Sequence, residues 1–125
     1  MLLPLTQSKA ELIQAVRITD PARHMTSPDL TGDIVAVWES DQVQRLLTLI
    51  AGLPAGEPRR CFHPGWGIRV HGAAGQLFEI AFCFSCHNAR IWGPDLPVEQ
   101  QSQAFDAESP GAVDLLRRFR SCVPG

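Results

Sequence analysis

A chain of 125 residues, 45% hydrophobic and 19% charged, is long enough for one domain with a buried core and too apolar for global disorder. Its formal net charge of −2 gives no basic field to release counterions from a nucleic-acid backbone, so no nucleic-acid partner is expected. No run approaches the ~18 apolar residues of a membrane span, and Met1-Leu2-Leu3-Pro4-Leu5 lacks the basic start and apolar length of a signal peptide. No membrane partner is therefore expected, and the expected compartment is the cytoplasm, where Cys61, Cys83, Cys86 and Cys122 would be mostly reduced.

Ten prolines and ten glycines predict many turns and short elements. Residues 12–19 alternate like a strand through Ala15-Val16-Arg17-Ile18-Thr19. Residues 20–32 hold two prolines with Asp, Ser, Thr and Gly, and read as a loop able to reach a partner. The β-branched and aromatic residues Ile34, Val35, Val37 and Trp38 predict a second strand over 33–39. Ser40 is the expected N-cap of a helix with Asp41 at its positive end, an apolar face of Val43, Leu46, Leu47 and Ile50, and Gly52 closing it in the left-handed conformation.

Residues 67–71 and 77–84 flank Gly72-Ala73-Ala74-Gly75-Gln76 and predict a β-hairpin. If Val70 faces Phe78, pleating sets Ile68 opposite Ile80 and Arg69 opposite Glu79 on the other face, as a cross-strand ion pair with no catalytic role. A short strand is expected over 89–92, stopped by Gly93-Pro94, followed by a surface loop. Ser109-Pro110 opens a final helix whose apolar face is Val113, Leu116 and Phe119 with Leu115 and Cys122, and whose wet side carries Arg117, Arg118 and Arg120. The expected architecture is α+β, a mainly antiparallel sheet of about four or five strands with two helices packed on one face, in one domain spanning the chain.

Cys83-Phe84-Ser85-Cys86-His87 satisfies the pattern of c-type haem attachment. The context opposes that chemistry, because covalent attachment follows export and the pattern ends a phenylalanine-rich strand instead of opening a helix. Cys61, His63, Cys83, Cys86 and His87 are the donor types of a tetrahedral zinc site, although a single close pair has knuckle spacing. A thiol-redox role needs an exposed cysteine of low pKa, and a dyad of Cys86 with His71 or His63 would need the partners to meet in space. The simplest reading makes Cys61, Cys83 and Cys86 small buried residues at a crowded hairpin end, with a disulfide as the lesser alternative. No phosphate loop, Gly-x-Ser-x-Gly or His-Glu-x-x-His occurs. No cofactor and no enzymatic activity are expected.

Arg60-Cys61-Phe62-His63-Pro64, Gly67-Ile68-Arg69 and Cys83-Phe84-Ser85-Cys86 together resemble a loose group of small bacterial proteins. In that group a Cys-x-x-Pro segment precedes a Gly-Ile-Arg-like strand and a strand ending Cys-Phe-x-Cys. In type, not in motif, the chain is similar to the immunity proteins of polymorphic or secretion-system toxins. That resemblance implies a partner, a cognate protein toxin or effector, whose active site is occluded by a rigid scaffold. Trp38, Trp66 and Trp92, with the acids Asp95, Glu99, Asp106 and Glu108, are the expected contact residues. The alternative function is a small zinc-binding or thiol-redox protein using Cys61, Cys83 and Cys86.

Overall fold

The computed structural model describes residues 1–21, 29–57, 59 and 61–123. Its central hairpin joins β3 (Trp66–Gly72) to β4 (Gly75–Cys83) in the expected register: Val70 opposes Phe78, Ile68 opposes Ile80 and Arg69 opposes Glu79. The turn needs glycine at Gly75, whose φ of +135° is closed to ordinary side chains. Outside this pair lie β1 (Leu12–Arg17) and β2 (Asp33–Glu39) on one side, and β5 (Asn88–Trp92) and β6 (Ser102–Ala104) on the other. The result is one 6-stranded antiparallel sheet of order β2-β1-β3-β4-β5-β6.

The sheet exceeds the expected strand number because β6 lies in the stretch read as loop, directly after the one-turn helix α2 (Val98–Gln101). Three residues are too few to show alternation. β6 is held by its neighbours: the Gln103 side chain bonds both Leu2 N–H and Leu2 C=O, and Phe105 is fully buried.

One face of the sheet carries Ile13, Ala15, Ile68, Val70, Phe78, Ile80, Phe82, Ala89 and Ile91, all within the main core. Helix α1 (Asp41–Ala51) adds Val43, Leu46, Leu47 and Ile50, and α3 (Pro110–Ser121) adds Ala112, Leu115 and Phe119. The two main helices therefore cover that face, as the α+β pattern requires.

Their ends differ from expectation in detail. Ser109 caps α3 as predicted, its Oγ accepting from Ala112 N–H, with Pro110 in the first turn. Ser40 stands at the N-cap of α1 but makes no side-chain cap bond; with φ 54° and ψ −130° only its carbonyl serves the helix, accepting from Val43 N–H. Gly52 closes α1 in the right-handed region, at φ −81° and ψ −2°, so its lack of a Cβ is not what ends the helix. Val113, expected on the apolar face of α3, is 54% exposed, and Ala112 takes the buried position. Arg117, Arg118 and Arg120 are exposed as expected, the first two paired to Asp114.

The opposite face is smaller and mixed. Part of the loop expected over 20–32 falls at residues 22–28, outside the described residues; Leu30, just beyond, is buried with Val16, Ile18 and Ala81. Its methyls, 2.8 and 3.0 Å away, and the Ile80 carbonyl oxygen at 2.7 Å occupy the space that a Cβ on Gly67 would claim, which explains glycine near the start of β3. Beside it a row of directly opposed residues crosses five strands: Val37, Gln14, Arg69, Glu79 and Trp92. Arg69 donates from Nε to Glu79 at 2.9 Å and from Nη2 to the Leu30 carbonyl at 3.0 Å. The buried carboxylate is thus neutralised in place, consistent with the structural role expected of the pair.

Candidate functional site: a cysteine corner and a tryptophan-edged surface

The turn after β4 packs against the segment before β3, and two hydrogen bonds fix the approach. Arg59 N–H donates to the Cys86 carbonyl at 2.9 Å, and Asn88 Nδ2 donates to the Cys61 carbonyl at 3.0 Å. Between these bonds Cys61 and Cys86 form a disulfide, with Cα atoms 5.8 Å apart. This corrects the expectation of reduced, separately buried thiols: the residue pair has the geometry of a staple. Cys83 remains a free, fully buried thiol. The Ser85 hydroxyl lies 3.5 Å from Cys83 Sγ and 3.9 Å from Cys86 Sγ.

The corner is not assembled as a zinc site. Two of the expected sulfur donors are consumed by the disulfide, His63 is exposed, and His87, held at φ 56°, uses Nδ1 to accept from Ala107 N–H at 3.1 Å. Among the described residues no group of three or more His, Cys, Asp or Glu side chains could hold a metal ion. The haem pattern likewise has one of its two thiols tied to Cys61.

His87 instead borders a cleft of about 400 Å³ with Arg59, Glu57, Asp106 and Glu108. Asp106 serves its own chain there: Oδ1 accepts from Glu108 N–H, and its carbonyl accepts from the Ser109 hydroxyl and amide. Glu108 is exposed.

The three tryptophans do not form one surface. Trp38 and Trp66 are half-buried on the helix-covered face, where both meet Phe119, at 5.9 Å and, stacked, at 5.5 Å. The Arg17 guanidinium lies over the Trp66 ring at 5.9 Å. Trp92 sits on the other face, at the end of β5, half-buried against the smaller core. It lines a cleft of about 560 Å³ with Leu96, Val98 and Gln101. Asp95 and Glu99, both exposed, belong to this same connection, Asp95 marking its turn with φ 57°. Sequence reasoning names Trp92, Asp95 and Glu99 but misses Val98, which is 79% exposed and lies in the stretch expected to be loop.

A further polar set escaped the sequence. His71 Nε2 lies 2.9 Å from Gln14 Oε1, the atom that also faces Arg69 Nη1 at 3.5 Å. An oxygen between two donors fixes the tautomer: His71 carries its proton on Nε2. Burial first, then the Arg69 charge, lowers its pKa below 6.5, with Glu79 opposing. Glu11, Gln14, Glu39, Ser40 and His71 line an open cleft of about 710 Å³.

Compared with known proteins, the chain matches no protein-family model, no curated protein and no solved structure. Among the described residues no helix is long and apolar enough to cross a membrane.

Proposed function

We propose that the chain is a binding protein, an immunity or inhibitor protein that engages and blocks a cognate bacterial toxin or secreted effector in the cytoplasm, and not an enzyme. The observation that carries this reading is the Trp92 surface. A half-buried tryptophan, Leu96 and the outward Val98 line one concavity, while Asp95 and Glu99 stand exposed along the same connection. Arg90, Gln101 and Ser102 also line it, and apolar side chains set among polar groups are the anatomy of a protein interface. Its mounting is rigid, since β5 is bonded to β4 on one side and β6 on the other. Trp38 and Trp66, expected as further contacts, pack on Phe119 on the other face of the sheet.

The test uses the purified chain and the protein encoded beside it, titrated by calorimetry. A 1:1 complex is expected, weakened at least tenfold by Val98→Asp, a change of about 1.4 kcal/mol or more. Because Val98 is 79% exposed, the thermal melt of that variant should match the parent. A complex indifferent to Val98→Asp would move the interface elsewhere; absence of any complex would remove the reading.

A second reading, thiol exchange, is favoured by one observation: the buried Cys83 thiol and the Cys61–Cys86 bond meet at the same serine hydroxyl. It predicts that function depends on the cysteines, which the inhibitor reading does not.

A further inference from the structure

The run Ile34-Val35-Ala36-Val37-Trp38 is apolar without a break, the composition of a strand covered on both faces and paired on both sides. Yet β2 is outermost in the sheet, and among the described residues it pairs with β1 alone. A register shift sets Ile34 opposite Val16 and Val37 opposite Gln14, leaving Val35 as the extra residue of a bulge. Because directly opposed residues share a face, the bulge turns both Ile34 and Val37 to the side away from the helices. They are 50% and 48% exposed there.

Carboxylates mark both ends of this edge, Asp33 at one and Glu39 with Asp41 at the other. At the Glu39 end lies the open cleft of about 710 Å³, where Glu11 joins Glu39. Burial and the Arg69 charge lower the pKa of His71, the imidazole among the cleft's described lining residues, so it is neutral near pH 7 and does not offset those two carboxylates.

We propose that β2 is a strand-addition site that takes an extended segment of a partner protein, aliphatic at alternate positions, with a lysine or arginine placed to enter the cleft beside Glu39 and Glu11. Main-chain bonds along the open edge supply affinity, while Ile34, Val37 and the acidic cleft read side chains. A second copy of the chain is a poor occupant. Antiparallel pairing of two β2 strands about Ala36 would set Asp33 of each copy opposite Glu39 of the other, and like charges directly opposed are destabilising. The site goes beyond the inhibitor reading: it lies at the opposite edge of the sheet from β5 and β6 and does not require the occupant to be a toxin.

The probe is a random heptapeptide display library selected on the immobilised full chain. Enriched peptides should alternate aliphatic residues, carry a lysine or arginine near one end, and slow hydrogen exchange within 33–39. Val37→Lys and Glu39→Lys, both at exposed positions, should each weaken the best peptide at least tenfold with unchanged melting curves, while Val98→Asp leaves it unaffected. The proposal is overturned if nothing enriches over the bare support, if binders lack a basic residue, or if they protect another segment. It is also overturned if the chain sediments as a dimer that Val37→Lys dissociates, because the edge would then belong to a second copy.

Discussion

Phe119→Ala is expected to cost about 4 kcal/mol of stability, within the range for a buried aromatic. Phe119 is fully buried, and its ring meets Trp38 at 5.9 Å, Trp66 at 5.5 Å, Phe82 at 5.9 Å and Phe84 at 6.4 Å. It is the residue through which α3 grips the sheet, and aromatic pairs add to what area burial alone contributes. Truncation would leave a cavity walled by four rigid rings with little freedom to collapse. Out of the roughly 5–15 kcal/mol typical of a domain, such a loss should lower the melting temperature by about 15 °C for a chain of this size. Thermal melts followed by near-ultraviolet circular dichroism measure both the loss and the loosening of Trp38 and Trp66. Phe119→Leu, which keeps most of the volume, should cost markedly less; equal costs would show that the ring stack contributes nothing of its own.

The second large effect is expected from reduction of Cys61–Cys86. The bond spans a sequence separation of 25, and constraining a loop of that size in the unfolded chain is worth about 3 kcal/mol. Urea unfolding with and without a phosphine reductant should show an unfolding free energy lower by that amount, and a Cys61→Ser, Cys86→Ser double variant should match the reduced parent and ignore the reductant. A parent insensitive to reduction would mean that the Arg59 backbone bond and the Asn88 side-chain bond hold the corner unaided. The result also bears on compartment. A cytoplasmic thiol pool disfavours an ordinary structural disulfide, so in that setting the corner would have to hold without its covalent link.

Most of the fold was legible because its signals are local. The hairpin register followed from pleat periodicity once Gly72 and Gly75 marked the turn, and the Arg69–Glu79 pair followed from the register. Ser109-Pro110 announced α3 by the chemistry of the cap. What escaped depends on tertiary partners. β6 exists because β5 offers it an edge, Val113 and Ala112 exchange faces through a small difference in helix phase, and Gly52 ends α1 without needing a left-handed turn. The disulfide was illegible for a related reason: spacing alone does not say which of Cys61, Cys83 and Cys86 will meet, and only the bonds of Arg59 to Cys86 and of Cys61 to Asn88 choose Cys86 over Cys83. Of the expected contact residues, Trp92 lines a cleft, Asp95 and Glu99 are exposed in the connection that follows it, and Trp38 and Trp66 lie in the aromatic stack. In the sequence, the unbroken apolar run of β2 signals only strand propensity. Its sign of a covered strand acquires meaning once the strand is found at the edge.

The most direct test of the central claim is growth rescue. Cells expressing the protein encoded beside this chain would be co-transformed with the parent, with Val98→Asp, or with the Cys61→Ser, Cys86→Ser double variant, each checked for equal soluble level. The account predicts that the neighbouring protein arrests growth, that the parent and the cysteine variant restore it, and that Val98→Asp does not. Rescue that survives Val98→Asp but is lost with the cysteines would contradict it and assign the function to the disulfide corner.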